Sequence, residues 1–250
     1  MTILVTGSTG TLGTPTLAAL RAAGHDARGL SRSGRDGSAV GDLFTGAGVA
    51  DAFRGVDTVV HCAQSRGKND VAIAQNLMAA AETAGVGHLV LISIVDIDHI
   101  PMPYYRQRLD IERVAQASRV PLTIQRATQF HTLIDQLYRA QKYSPVLLAP
   151  GWRCQPIAVE EVAGRLAELA AGAPHGRVPD IGGPQQRTML DLLNVWKKAT
   201  GSRRPGLNVR LPGKMFAAYD TGAGLVPGEP FGRVTFDDYL AQKYAGATVR

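Results

Sequence analysis

The segment near the start of the chain, Gly7-Ser8-Thr9-Gly10-Thr11-Leu12-Gly13, constrains the fold more than any other. It follows a short apolar run, which is typical of a buried strand, and it leads into residues with the apolar spacing of a helix. Gly7 and Gly10 allow a tight turn, and Gly13 allows the helix to pack closely against the strand. The free N–H groups of a first helical turn, aided by the helix dipole, attract phosphates. The segment therefore predicts a strand–turn–helix unit that binds a dinucleotide pyrophosphate, with contacts from Gly7, Thr9, Gly10, Thr11, Leu12 and Gly13.

Strand-like and helix-like segments alternate over roughly the first half of the chain. The strand candidates are near-continuous apolar runs, as in Leu89-Val90-Leu91-Ile92, which is typical of a parallel sheet covered on both faces. This pattern predicts a doubly wound parallel α/β sheet that binds ligands at the carboxyl ends of its strands. We expect a nucleotide-binding core over 1–145 and a small substrate-covering region over 146–250 packed on it as one integrated domain. The strand candidates are 2–6, 26–31, 58–63, 88–93 and 122–126, and the helix candidates are 11–23, 47–54, 69–84, 104–118, 159–171, 188–200 and 235–243.

The composition argues against several classes of protein. The chain has 250 residues, of which 45% are hydrophobic, and no apolar stretch reaches the roughly 18 residues of a membrane span. It opens directly into a strand without the pattern of a secretory signal, and its two cysteines do not make a disulfide framework. We therefore expect a cytoplasmic protein that binds no membrane. The net charge of +6 comes from dispersed basic residues, which favours an anionic small molecule over nucleic acid.

The residues after the second strand candidate indicate which dinucleotide is bound. An NAD-preferring site usually places a carboxylate there for the ribose 2′-hydroxyl, and this chain has none at that point. Arg32 instead offers a guanidinium to a 2′-phosphate, and Ser31 or Ser33 adds a hydroxyl. These residues predict NADP(H). The alternative is that Arg32 is an ordinary solvated surface charge.

Two more cofactor contacts are expected at the same edge of the sheet. Asp42 and Leu43 form a turn that either contacts the adenine or is closed by the Asp side chain. Ala63 and Gln64 follow a strand candidate, where the backbone is expected to pass the nicotinamide side of the cofactor.

Further motifs are spread along most of the chain. They are Thr6–Gly13, Gly41-Asp42-Leu43, Val59-Val60-His61-Cys62-Ala63, Asn76, Ile92-Ser93-Ile94-Val95, Tyr104-Tyr105-Arg106-Gln107-Arg108, Arg126-Ala127-Thr128-Gln129-Phe130-His131 and Asp180-Ile181-Gly182-Gly183-Pro184. With these motifs the chain resembles the atypical, NmrA-like branch of the short-chain dehydrogenases/reductases. The resemblance implies a Rossmann-type fold, a nicotinamide cofactor, and cofactor contacts from Gln129 and Phe130.

The resemblance also implies catalytic roles for three residues. Ser93 would hydrogen-bond a substrate carbonyl or hydroxyl, and Tyr104 would donate or accept the proton as a hydride moves. Arg108 lies one helical turn after Tyr104, where the family usually has a lysine that lowers the tyrosine pKa and anchors the nicotinamide ribose. Arginine keeps the charge but is longer and planar. Three hypotheses stay open: a reductase with an adapted site, an enzyme with other acid–base groups, and an NADP(H)-binding redox sensor or regulatory partner protein without turnover.

The expected reaction is hydride transfer between nicotinamide and a carbonyl, hydroxyl or activated double bond of a small molecule. The proline-rich loop 99–103 suits a lipophilic pocket wall, and Trp152, Gln155 and Phe216 are candidates for the opposite side. His61 and Cys62 are interpreted as internal packing residues. His131 is interpreted as a solvent-facing residue at a helix start, with an acid–base role as the alternative. No spacing of His, Cys, Asp or Glu indicates a metal site, and the oligomeric state is left open.

Overall fold

The computed structural model describes residues 1–34, 37–63 and 69–245. The chain divides into two compact units: the first is Met1–Ser93, Pro103–Arg126 and Glu160–Pro179, and the second is Ile94–Met102, Ala127–Val159 and Asp180–Arg250. The strands are β1 (Thr2–Thr6), β2 (Asp26–Ser31), β3 (Ala39–Val40), β4 (Thr58–His61), β5 (His88–Ile94), β6 (Leu122–Ala127), β7 (Leu147–Pro150), β8 (Arg153–Cys154), β9 (Gly176–Arg177), β10 (Arg187–Thr188) and β11 (Gly206–Val209). The helices are α1 (Gly13–Ala22), α2 (Val49–Phe53), α3 (Asp70–Ala84), α4 (Pro103–Ala117), α5 (His131–Arg139), α6 (Val159–Ala171), α7 (Met189–Thr200), α8 (Lys214–Asp220) and α9 (Phe236–Tyr244).

The first unit is built on a sheet that, over the described residues, has seven strands in the order β3-β2-β1-β4-β5-β6-β9. β1 pairs in parallel with β2 on one side and with β4 on the other, so that Ile3 lies opposite both Ala27 and Thr58. The order of strands along the chain therefore reverses between β1 and β4. In sheets of this kind, ligands bind outside the carboxyl ends of the strands at such a switch point. Thr6 ends β1 and His61 ends β4, so these two residues mark its position.

The apolar runs that predict the strands lie in the interior of the first unit. Ile3, Leu4 and Val5 of β1 are fully buried. Helices cover the sheet, and Phe53 of α2 and Leu77 of α3 belong to the same apolar cluster as Leu4. The doubly wound parallel α/β fold predicted from the sequence is confirmed.

The second unit packs α5, α7 and α9 around an apolar cluster that includes Tyr138, Trp196 and Phe236. Its strands form two small sheets, β8 with β10 and β7 with β11. The Tyr138 hydroxyl donates a hydrogen bond of 2.6 Å to the backbone carbonyl of Met189, which ties α5 to the start of α7.

A buried carboxylate holds α9 in place within the second unit. Asp135 of α5 accepts hydrogen bonds from Trp196 Nε1 at 2.7 Å, Lys243 Nζ at 2.6 Å and the Tyr244 hydroxyl at 2.8 Å. Two of these donors lie on α9 and one lies on α7. Asp135 therefore connects three helices.

All the predicted strands and helices are present, each with ends within two residues of the predicted ones. The sequence analysis missed the short strands β3 and β7–β11 and the helices α5 and α8. The predicted packing of 146–250 on the core stays a prediction. None of the helices in the described ranges combines the length and the apolar character that crossing a bilayer requires.

Candidate active site

The glycine turn between β1 and α1 depends on the absence of side chains. Gly7 has a φ of +66°, and its carbonyl accepts a hydrogen bond of 2.9 Å from the backbone N–H of Gly10. A Cβ on Gly7 would lie 2.7 Å from the Cα of Ala63, and a Cβ on Gly13 would lie 2.1 Å from the Gly7 carbonyl oxygen. Any larger residue at Gly7 or Gly13 would therefore push the turn away from β4 or from α1.

The turn presents its backbone to solvent at the switch point of the sheet. Thr9, Gly10 and Thr11 are exposed, whereas Leu12 is buried as an anchor. α1 begins at Gly13 without a side-chain hydrogen bond at its N-cap, Leu12, so no side chain of the helix covers its first N–H groups. This arrangement fits a dinucleotide pyrophosphate at the start of α1.

The carboxyl end of β2 carries the residues predicted to select the cofactor. Arg32 and Ser33 are exposed, and the Ser31 hydroxyl accepts a hydrogen bond of 2.9 Å from the Gly34 N–H. Ser31 therefore closes a local turn, whereas Arg32 and Ser33 are open to solvent. The predicted contact to a 2′-phosphate stays a prediction.

The turn at Asp42 has the locally bonded geometry that the sequence analysis offered as its alternative. Asp42 Oδ1 accepts a hydrogen bond of 2.9 Å from the Phe44 N–H. Leu43 is buried in the core, and its carbonyl accepts a hydrogen bond of 2.8 Å from the Asn76 side chain. Asn76 thus holds this turn against α3, and an adenine contact of Asp42 and Leu43 stays a prediction.

Two of the predicted catalytic residues carry buried polar atoms without partners. Ser93 is 3% exposed, and its Oγ has no hydrogen-bond partner in the part of the chain that the structure describes. Arg108 is 2% exposed; its Nη2 donates a hydrogen bond of 2.6 Å to the Ile92 carbonyl, and its Nε and Nη1 lack partners among the same residues. Buried polar groups are usually satisfied, so these unpaired atoms call for an explanation, and a bound ligand would provide one. The fold brings both groups to the carboxyl end of β5.

The charge of Arg108 also influences the pKa values of His61 and Cys62 at the end of β4. Thr6 Oγ1 and His61 Nδ1 lie 2.7 Å apart and bridge β1 and β4. Burial, together with the positive charge of Arg108, lowers the pKa of His61 to about 3. Burial raises the pKa of the Cys62 thiol to about 12, although a hydrogen bond with Thr16 and the charge of Arg108 oppose the rise. His61 is therefore neutral and buried, which agrees with its interpretation as an internal residue, whereas Cys62 is a thiol that is only half-buried.

A buried ion pair fixes the helix that carries Tyr104 and Arg108. Glu112 of α4 accepts two hydrogen bonds from Arg126 of β6, at 2.9 Å from Nε and 2.7 Å from Nη2. Both side chains are buried, and the two hydrogen bonds of the pair fix the position of α4 along β6. Tyr104 lies in the first turn of this helix and is half-buried. The sequence analysis used Arg126 only as part of a motif, and no sequence signal links it to Glu112.

Three predicted cofactor contacts, those of Gln64, Gln129 and Phe130, are not tested by the structure. Gln64 lies outside the described residues. Gln129 and Phe130 belong to the second unit, where Gln129 Oε1 accepts a hydrogen bond of 3.3 Å from the Cys154 thiol. Phe130 precedes α5 as its N-cap residue. Their predicted contacts with the cofactor stay predictions.

The interpretation of His131 as solvent-facing is wrong. It is 1% exposed; its ring stacks on Tyr239 at a centroid distance of 5.4 Å, and its Nε2 lies 3.0 Å from the Val234 carbonyl. Packing against aromatic residues far along the chain decides its position, which a local helix-start pattern does not reveal. Phe236 also contacts the ring, at 5.7 Å.

The residues suggested for the substrate side form their own contacts in the second unit. Trp152 stacks on Tyr219 at 4.5 Å and meets Phe216 edge-on at 5.2 Å. Gln155 is buried, donating to the Gly183 carbonyl at 2.8 Å and accepting from the Val226 N–H at 2.7 Å. Gln155 is thus occupied by backbone groups, whereas Trp152 is part of an aromatic cluster.

The loop between Ser93 and Tyr104 contains a polar cluster that residue spacing did not reveal. Ligand-type atoms of Asp96, Asp98 and His99 all lie within 4.8 Å of one another. Asp96 has a φ of +55°, and its carboxylate also accepts a hydrogen bond of 2.8 Å from the Gly224 N–H. These contacts fold the loop against residue 224 of the same unit.

Comparison with known proteins places this geometry in a family. A family model described as NAD(P)H-binding matches residues 7–145. Rv2047c, an uncharacterized protein of Mycobacterium tuberculosis, is 34% identical over 102 residues, which cover 37% of this chain. The chain spans only 12% of the length of that relative.

Two solved structures share the fold. The NADPH-dependent quinone oxidoreductase QOR2 of Escherichia coli, in complex with NADPH, has a TM-score of 0.80 and 19% identity, covering 97% of this chain and 99% of that chain. The triphenylmethane reductase of Citrobacter sp., in complex with NADP(H), has a TM-score of 0.78 and 18% identity, covering 97% and 99%. At such identities the likeness establishes the fold alone. The family model matches more than half of this chain, so the chain belongs to the NAD(P)H-binding family.

Proposed function

We propose that the protein is an NADP(H)-dependent oxidoreductase of the atypical short-chain type. It transfers a hydride between nicotinamide and a carbonyl, hydroxyl or activated double bond of a small, lipophilic molecule. The observation that carries the proposal is a set of buried polar atoms at the end of β5, Ser93 Oγ with Nε and Nη1 of Arg108, which have no hydrogen-bond partner among the described residues. They belong to the same unit as the glycine turn.

The chemistry requires a hydride donor and a proton donor. NADPH held at the glycine turn would supply a hydride to an electrophilic carbon of the substrate. The Ser93 hydroxyl donates a hydrogen bond to the substrate oxygen and orients it. Tyr104 gives that oxygen its proton, which leaves a phenolate.

Arg108 stabilises the phenolate form of Tyr104. It lies one helical turn after Tyr104, so the two side chains share a face of α4. A buried cation that is always protonated favours the ionised form of a nearby phenol and lowers its pKa. The Glu112–Arg126 pair is a positioning element, because it holds the helix that carries both groups.

We infer that NADP(H) is preferred over NAD(H). The exposed Arg32 and Ser33 support this preference, since a guanidinium and a hydroxyl suit a 2′-phosphate. The structural neighbours do not decide between the two cofactors, since QOR2 and triphenylmethane reductase were solved with NADPH or NADP(H) and MoeE5 was solved with NAD.

A binding protein without turnover is the second candidate. The observation that favours it is the hydrogen bond of Arg108 to the Ile92 carbonyl, which directs one end of the guanidinium to the sheet. In that case the protein would bind NADP(H) tightly and signal its redox state to a partner protein.

One titration separates the two candidates. The purified protein is mixed with NADPH and with NADH, and nicotinamide fluorescence is followed before and after adding a panel of ketones, quinones and enones. Tighter binding of NADPH, with its oxidation by a panel member, is expected. Tight binding without oxidation across the panel would favour the non-catalytic binder, and absence of binding would contradict both candidates.

A further inference from the structure

A surface rich in basic residues lies in the second unit. We call it the β7–β11 face and define it as residues 136–153 and 197–214. These two segments contain nine basic residues and no Asp or Glu. The basic residues are Arg139, Lys142, Arg153, Lys197, Lys198, Arg203, Arg204, Arg210 and Lys214.

The two segments lie side by side. β7 and β11 pair in parallel, with Leu148 opposite Leu207. Arg204 Nη1 donates hydrogen bonds to the carbonyls of Gln141 at 2.6 Å and Ser144 at 3.1 Å. Arg210 forms an ion pair with Asp220, which lies outside the two segments. The face therefore keeps a strong excess of positive charge.

Apolar side chains stand exposed among these cations. Leu148 and Leu207, which face each other across the two strands, are 45% and 54% exposed. Tyr143 is 89% exposed and Leu211 is 56% exposed. Scattered single leucines are common on surfaces, but a group on neighbouring strands is typical of an interaction site.

β11 also has an open backbone edge. The carbonyls of Pro205 and Val209 accept hydrogen bonds from Leu147 and Gly151, on the β7 side. The backbone N–H and C=O groups of successive residues in a strand point to alternate edges. Those of Gly206 and Asn208 therefore point away from β7. Among the described residues, β11 pairs with β7 alone, and both Gly206 and Asn208 are exposed.

The charge, the apolar side chains and the open strand edge of the β7–β11 face fit some kinds of binding partner better than others. A second copy docked through the same face would bring two sets of cations together without carboxylates to offset them. The apolar region of a bilayer would leave the open N–H and C=O groups of β11 unpaired. An extended peptide pairs these groups, and acidic side chains alternating with apolar ones match the cations and leucines.

We propose that the β7–β11 face binds an extended, acidic segment of a partner protein, which adds a strand to the edge of β11. Its apolar side chains pack on Leu148 and Leu207, and its carboxylates lie near the surrounding cations. This binding surface is independent of hydride transfer, so the two proposals stand or fall separately.

The test uses a fluorescein-labelled peptide of alternating glutamate and valine and the full-length protein. Fluorescence anisotropy is expected to show saturable binding of this peptide and little binding of a peptide of alternating lysine and valine. Asn208→Pro removes one outward N–H without changing the β7 pairing, and it is expected to weaken binding by about tenfold. Asn208→Ala keeps the N–H and is the matched control, expected to bind as the wild type does.

The charge contribution is tested by the double variant Lys142→Glu/Arg203→Glu, with Arg54→Glu in the first unit as its control. Only the double variant is expected to lose binding. A peptide N-methylated at alternate residues tests the strand addition without altering the protein. Equal binding of the lysine peptide, the N-methylated peptide or the double variant would overturn the proposal. The proposal would also be overturned if the protein bound no peptide but sedimented with phosphatidylserine-containing vesicles.

Discussion

The guanidinium Nη2 of Arg108 donates a hydrogen bond of 2.6 Å to the backbone carbonyl of Ile92. This bond joins α4 to β5 one residue before Ser93, so the helix and the strand end that form the candidate site are directly connected. It satisfies only part of the guanidinium, which is buried and has no carboxylate as a hydrogen-bond partner among the described residues. A buried cation with so few partners costs stability, which is characteristic of functional sites.

Replacing Arg108 by methionine is expected to separate stability from activity. Removal of the buried charge should raise the free energy of unfolding of the cofactor-free protein by about 1 kcal/mol. Loss of the cation should lower kcat/KM by about 100-fold, the low end of an acid–base contribution. Urea denaturation and NADPH oxidation measure the two effects. Arg108→Lys, which keeps the charge, should retain more activity than the methionine variant.

Arg113→Met is the control for this experiment, since Arg113 lies on the same helix but is exposed and paired with Asp110. It should leave both stability and turnover nearly unchanged. An Arg108→Met protein that turns over NADPH like the wild type would show that Tyr104 needs no cation at this position.

Ser93→Ala is expected to lower activity without lowering stability. The Ser93 hydroxyl is buried without a partner in the described ranges, so its removal leaves no new unsatisfied group. Turnover should fall by about tenfold or more, as expected when a hydrogen bond to the reacting oxygen is lost. Ser118→Ala gives the contrast, because the Ser118 hydroxyl donates a 2.8 Å hydrogen bond to the Ala115 carbonyl. That variant should lose about 1 kcal/mol of stability and keep its activity. A destabilised Ser93→Ala protein with full activity would assign Ser93 a structural role.

The sequence was most informative where function and local structure depend on the same residues. At Gly13 a side chain would collide with the backbone of Gly7, and at Gly7 it would collide with Ala63, just beyond the neighbouring strand. Both positions therefore need glycine for local reasons, and the resulting glycine pattern is visible in the sequence. The apolar runs of the parallel strands are equally local signals. The place of Ser93 at the end of β5 and that of Arg108 in α4 followed from the strand and helix candidates, whereas the contact of Arg108 with Ile92 did not.

The missed features depend on contacts between distant parts of the chain. Glu112 and Arg126 pair across two elements, and neither residue type is expected in a core. His131 is buried by residues more than a hundred positions away. The two-residue strands β8 and β10 are too short to show any alternation. For α5, a signal was present, because its apolar residues recur at helical spacing and His131 was interpreted as a residue at a helix start, but no helix was predicted from that signal.

His61 is expected to make stability depend on pH. Burial, together with the charge of Arg108, lowers its pKa in the folded protein from the usual 6.5 to about 3, so the unfolded chain takes up a proton at a higher pH than the folded protein does. Stability from this group is therefore complete above about pH 6.5 and falls as the pH drops from there toward 3, by up to about 1.4 kcal/mol per pH unit. His61→Asn should flatten this slope in urea denaturation between pH 6.5 and 5. The buried His88 shifts in the same direction and is present in both proteins.

His99→Asn is the matched control, because the His99 side chain is 71% exposed. Its stability curve should run parallel to that of the wild type. A wild-type slope that survives in the His61→Asn protein would place the titrating group elsewhere.

Asp135→Asn is expected to loosen α9. Burial opposes ionisation of Asp135, but hydrogen bonds from Lys243, Trp196 and Tyr244 outweigh it, and the pKa of Asp135 is lowered below its usual value of 3.8. The carboxylate therefore contributes stability above about pH 4, and this contribution is lost as the pH falls through its lower, folded-state pKa. At pH 7 the variant should be less stable by about 1–3 kcal/mol, and the difference should shrink below pH 4. Thermal unfolding with Trp196 fluorescence measures it, and the exposed Asp51→Asn variant should behave as the wild type.

Arg32→Glu is expected to change the choice of cofactor. If the guanidinium binds the 2′-phosphate of NADPH, its replacement by a carboxylate removes a charge-assisted contact and adds repulsion. NADPH affinity should then fall by about tenfold to a hundredfold, while NADH affinity stays the same or improves, because a carboxylate accepts hydrogen bonds from a ribose 2′-hydroxyl. Fluorescence titration with both nucleotides measures the ratio. Arg54→Glu, an exposed charge reversal in the same unit, controls for a general electrostatic effect on anion binding. Equal losses for NADPH and NADH in the Arg32 variant would show that Arg32 attracts the cofactor without reading its 2′-phosphate.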